Sequence, residues 1–128
     1  MTENDEVVVH GAHWPGHRLV AAEGELEWES AQAFAEQVDR AVEGFSGLLV
    51  ADLSRVEFAD SSALHTLFEA HRSLAAGGGR LVIAGPLDPL VRRLFEVSST
   101  TGYFAFAETV AEAVGGPEPT EPRAGGAG

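Results

Sequence analysis

The chain contains no cysteine, which removes disulfides, thiolate metal sites and cysteine nucleophiles at a stroke. It also lacks any apolar run near the ~20 residues that a membrane-spanning helix needs. Basic residues are scarce: 8 Lys and Arg stand against 20 Asp and Glu, for a net charge of −12. Such a surface repels the phosphate backbone, which binds proteins through Lys and Arg, and it repels anionic membranes equally. Neither nucleic acid nor a membrane is expected as a partner. A basic protein partner fits better, although the same charge also serves solubility alone. The start, "MTENDEVVV", is acidic and lacks the basic opening of a secretory signal, so a cytoplasmic protein is expected.

What is present suits one domain: 128 residues, 45% of them hydrophobic, enough for a core. Residues 115–128, "GGPEPTEPRAGGAG", hold no large apolar side chain and are expected to form a disordered tail behind a domain spanning 1–114. Within that domain two periodicities alternate. "VVVH" (7–10) and "HRLVAAEG" (17–24) read as strands, and "WPG" (14–16) between them has the order of a type II turn. "ESAQAFAEQVDRAVEG" (29–44) reads as a helix with Ser30 as N-cap and Gly44 as stop. "GLLVADL" (47–53) reads as a buried strand, followed by a loop to Ser61. Ser61–Ala76 reads as a helix with Leu64, Leu67, Phe68, His71, Leu74 and Ala75 inward; on that wheel Ser62 is more exposed than Ser61. A strand at 80–85, a helix at 89–98 with proline near its start, a strand at 103–107 and a helix at 108–114 complete the pattern. The alternation predicts an α/β domain with a largely parallel sheet and an N-terminal hairpin at one edge.

Candidate chemistry is sparse. Gly77–Gly79 close a helix and precede a strand, whereas phosphate-binding glycines follow a strand and open a helix. His10, His13 and His17 offer imidazoles for a metal, but no Cys or Asp beside them completes a ligand set. A serine hydrolase would use Ser61 with His65 and Asp60 or Asp52, yet the G-x-S-x-G elbow is missing and no oxyanion site is identifiable. No metal, cofactor or catalytic role is therefore expected. "FADSSALHTLF" (58–68) remains, where a carboxylate and two serines meet a helix start. They fit a cap, worth ~1 kcal/mol. They equally fit a phosphoacceptor, because a helix N-terminus carries about half a positive charge and free N–H groups. The pattern alone does not separate the two.

Asp52-Leu53-Ser54 followed by Asp60-Ser61-Ser62-Ala63-Leu64 resembles the centre of STAS domains in bacterial anti-sigma factor antagonists. "GELEWESA" (24–31), "GGRLVIAGP" and "VRRLFEVS" fall where that family carries similar segments, so the resemblance covers about residues 7–114. It implies a STAS fold: a mixed, mostly parallel sheet of about four to five strands with about four helices. It further implies a protein that is not an enzyme and that captures an anti-sigma factor/serine kinase, freeing a sigma factor. The kinase, holding ATP, would phosphorylate Ser61 and end the capture, and a serine phosphatase would reset it. Asp52 and Asp60 would then lie around the acceptor and Ser62 would support the cap. The rival member of the family is a scaffold or transport-complex subunit whose serines are never phosphorylated. Monomer and weak dimer both fit.

Three departures from the family pattern fall on the implied partner surface. Ala63 stands where Gly is common and would confront an approaching partner with a methyl group. His65 replaces a small residue. Glu27, followed by Trp28, replaces an aspartate. His65, one helical turn beyond Ser61, and Arg72 on the same side are expected to stabilise a phosphate there, more so at lower pH, where His65 is charged.

Overall fold

A computed structural model of the chain describes residues 8–14, 16–98, 100 and 102–115. Its sheet has five strands in the order β1-β2-β3-β4-β5. These are β1 (Val8–Trp14), β2 (His17–Leu26), β3 (Leu48–Ala59), β4 (Arg80–Ala84) and β5 (Ala105–Ala107). β1 is antiparallel to β2, and every other neighbouring pair is parallel. Four helices follow the strands: α1 (Ala31–Val42), α2 (Ser61–Ala76), α3 (Pro89–Val97) and α4 (Val110–Gly115). This is the mixed, mostly parallel α/β architecture with an edge hairpin that the alternating periodicities predict.

The parallel strands are continuous apolar runs because both faces of the sheet are covered. Leu49, Val50 and Ala51 of β3 are each fully buried, and so are Ile83 and Ala84 of β4. One face meets Phe34 and Val38 of α1, Leu67 and Leu74 of α2, and Val91 and Phe95 of α3. The other face, with Val50, Val82 and Ala84, is closed by Ala113 of α4. That helix is only six residues long and is fixed by reciprocal capping. Thr109 Oγ1 accepts the Glu112 N–H (3.0 Å), and Glu112 Oε1 accepts the Glu108 N–H (2.6 Å).

Most boundaries fall near the expected ones, with instructive differences. The hairpin strands run on to Trp14 and Leu26. Trp14 and His17 are paired, and Gly16 between them has φ +85°, as position three of a type II turn requires; Pro15 lies outside the described residues. Gly78 ends α2 at φ +89°, and Gly79 packs so closely on Ser46–Gly47 that a Cβ there would sit 2.5 Å from the Gly47 carbonyl. The last strand is shorter than predicted, three residues, and leaves Tyr103 outside it. Of the expected tail, Gly115 closes α4 and 116–128 lie outside the described residues.

Two expectations are overturned. The loop predicted between Leu53 and Ser61 is strand: β3 continues to Ala59, pairing with β4 only as far as Asp52 and with β2 to its end. Two register shifts against β2 break its alternation, which hides it from a period-two reading. The buried stripe of α2 is Ala63, Leu67, Ala70 and Leu74, so the wheel is rotated from the predicted one. Small alanines let the helix lie close on the sheet. The larger Phe68 and His71 flank it and meet Tyr103, with ring centroids 4.6 and 4.7 Å away. His71 Nδ1 is buried there with no hydrogen-bond partner among the described residues.

Candidate functional site

The carboxyl end of β3 delivers Asp60 and Ser61 to the surface. The Asp60 N–H donates to the Leu26 carbonyl (3.0 Å), which holds the end of β3 beside the end of β2. Asp60 is the N-cap of α2: its backbone is extended, and its Oδ1 accepts the Ser62 N–H (2.9 Å). Ser61 is therefore the first helical residue. It is exposed, and among the described residues neither its hydroxyl nor its N–H has a protein partner. Ser62 is half-buried, the reverse of the wheel's ordering, because the rotated helix turns it toward α1. Its carbonyl accepts from Thr66 Oγ1 (3.2 Å).

Beside Ser61 stands the β2–α1 loop. Ser30, expected to cap α1, has helical backbone and makes no side-chain cap. Its hydroxyl instead ties the loop together, donating to the Glu25 carbonyl (2.6 Å) and accepting the Glu27 N–H (3.0 Å). The Glu27 carbonyl accepts from the Ala31 N–H (2.6 Å). Trp28, between these fixed points, is 68% exposed. A groove of about 330 Å³ runs between this loop, α1 and the start of α2, lined by Trp28, Ala31, Gln32, Ala35, Ser61, Ser62, His65 and Thr66. His65 is the one titratable side chain of that lining.

Ser61, Ser62, His65, Trp28 and, through the loop, Glu27 are thus assembled at one place. Asp60 forms its structural edge. Three other residues named from the sequence are not brought there. Asp52 lies seven residues before the end of β3, a contour of about 23 Å at ~3.3 Å per residue; its Oδ1 accepts the Ser54 N–H (3.0 Å). Arg72 lies eleven residues beyond Ser61, about 16 Å along the helix axis, where it meets Glu69 (3.3 Å). Ala63 is 2% exposed, its methyl directed into the core, so it presents nothing to a partner. The groove floor on α1 was missed. Its signal is the pair Ala31 and Ala35, small residues one turn apart on a helix whose other faces are apolar or charged. The three N-terminal histidines stand apart from the groove: His10 faces Glu23 across the hairpin (3.5 Å), and His17 stacks on Trp14.

The order of strands and the placement of helices define an α/β fold with an accessible groove beside the start of α2, at the carboxyl end of β3. A family model of the STAS domain matches residues 11–113, and the chain belongs to that family. The fold is similar to that of an anti-sigma factor antagonist from Mycobacterium paratuberculosis, with TM-score 0.77 and 24% identity over 89% of this chain and 96% of that one. It is similar to the anti-sigma factor antagonist SpoIIAA in its unphosphorylated form (TM-score 0.71, 21% identity, 84% and 93% covered). Bacillus SpoIIAA in its phosphorylated form gives TM-score 0.65, at 21% identity over 84% and 96%. A part of the murine Solute Carrier 26 family member A9 anion transporter also shares the fold, at TM-score 0.64 and 14% identity, over 77% of this chain and 17% of that one. No helix among the described residues is long and apolar enough to cross a membrane.

Proposed function

We propose that the chain is an anti-sigma factor antagonist whose capture of an anti-sigma factor/serine kinase is ended by phosphorylation of Ser61. The observation that carries this reading is the division between Asp60 and Ser61. The cap is made by Asp60 alone, so the Ser61 hydroxyl is free to react and stands exposed beside an accessible groove. The chain is the substrate, and the kinase supplies ATP and the catalytic base. Ser61 Oγ attacks the γ-phosphorus, its proton passes to the kinase and ADP leaves. The product carries about −1.5 to −2 additional charges. These meet the positive end of the α2 dipole and, one turn along the same helix, His65, four residues on. The same charge confronts the partner's docking face next to Asp60 and Glu27, which expels the partner, and a phosphatase restores capture. Trp28 supplies the groove's large exposed apolar surface and anchors the unmodified complex, in keeping with the prominence of tryptophan among interface hot spots.

The test is incubation with the kinase-type anti-sigma factor of the same cell and ATP. Mass spectrometry is expected to place one phosphate on Ser61, absent in Ser61→Ala, and Ser61→Asp is expected to weaken kinase binding at least tenfold. If the wild-type chain binds the kinase tightly but never gains a phosphate, the scaffold reading replaces this one. His65→Ala is expected to change phosphatase kinetics on the modified chain; identical kinetics would remove His65 from the mechanism.

A further inference from the structure

β1 is a free edge of the sheet. Among the described residues it pairs only with β2, and its seven residues, Val8–Trp14, run against β2 without a register shift. Edge strands are ordinarily blunted by shortness, proline, lysine or other charge, or a bulge. The opposite edge, β5, is protected by its length of three residues. β1 has none of these devices: "VVHGAHW" contains no Asp, Glu, Lys, Arg or Pro, in a chain of net charge −12.

Its hydrogen-bonding geometry follows from the hairpin. Trp14 and His17 flank a two-residue connection and form its closing hydrogen-bonded pair. Alternate residues Trp14, Ala12, His10 and Val8 therefore turn their N–H and C=O groups toward β2, while His13, Gly11 and Val9 turn theirs outward. A two-fold axis through Gly11 would place Gly11 opposite its own copy and Val9 opposite His13. Every outward residue then meets an outward residue, which gives about six new ladder bonds. The same axis places Val8 across from Trp14. These two are the exposed apolar residues of the strand, at 52% and 47% exposure.

We infer that β1 pairs with β1 of a second copy, antiparallel about Gly11, joining two five-stranded sheets into one of ten strands. No residue of the Ser61 groove lies on β1, so this inference stands independently of the proposed function.

Sedimentation equilibrium of the full chain is expected to show a mass approaching twice that of one chain as concentration rises. A cysteine placed by Gly11→Cys is the chain's sole thiol and faces its own copy at ~5.5 Å between Cα atoms, within disulfide range. Mild oxidation is expected to give covalent dimer rapidly with Gly11→Cys and not with Ser73→Cys, an exposed α2 site. Gly11→Pro removes only an outward N–H, which an edge strand tolerates, and is expected to weaken dimerisation at least tenfold with unchanged circular dichroism. If Gly11→Pro loses its folded spectrum, the cysteine pair decides alone. A chain that stays monomeric, or a dimer in which Gly11→Cys cross-links no faster than Ser73→Cys, overturns the inference; the second result assigns association to another surface.

Discussion

At the start of α2, neighbouring residues divide two tasks that the sequence leaves joined. Asp60 accepts the Ser62 N–H, whereas the Ser61 hydroxyl is bonded to no protein group among the described residues. Asp60→Ala is therefore expected to cost about 1 kcal/mol and to lower the melting temperature by about 4 °C, while Ser61→Ala stays within about 0.5 kcal/mol of wild type. Thermal unfolding followed by circular dichroism checks both. Ala63 provides a second contrast. Its methyl is buried under the helix, so Ala63→Gly is expected to cost about 1 kcal/mol in helix propensity alone and to leave the affinity of the proposed kinase partner unchanged. A gain in affinity on that substitution would restore the idea of a methyl that obstructs the partner.

Among the elements, α2 was legible to the residue, from Ser61 to Ala76, because strong local chemistry marks both ends: an Asp cap and three glycines. Its orientation was not legible. A hydrophobic wheel weights Phe68 and His71 and gives alanine little, yet close packing selected Ala63 and Ala70 for the sheet side and pushed the rings out to Tyr103. The upper half of β3 was hidden for a related reason, since its two register shifts against β2 destroy the alternation that would announce a strand. The β2–α1 loop shows the limit of motif reading within the site itself. Ser30 sits where an N-cap belongs, but the Glu25 carbonyl at the end of β2 and the Glu27 N–H of the loop hold its hydroxyl. Ser30→Ala is expected to cost about 1 kcal/mol for those lost bonds and to speed amide hydrogen exchange at Glu27. Unchanged exchange at Glu27, with α1 destabilised, would return Ser30 to an ordinary cap.

For the whole molecule, net charge makes a prediction about how a partner arrives. With −12 on 128 residues, association with a basic partner is expected to be electrostatically steered, so its on-rate falls as ionic strength shortens the screening length from about 10 Å at 0.1 M to about 3 Å at 1 M. Stopped-flow measurements at increasing salt check this; a flat on-rate would mean that the charge serves solubility alone. The capped helix start also has a consequence in time. Because Asp60, and not Ser61, closes the first turn, adding or removing a phosphate calls for no refolding of α2. Under the proposed function no slow conformational step would then separate modification from response, and the delay between signal and release would be set by the turnover of the kinase and phosphatase.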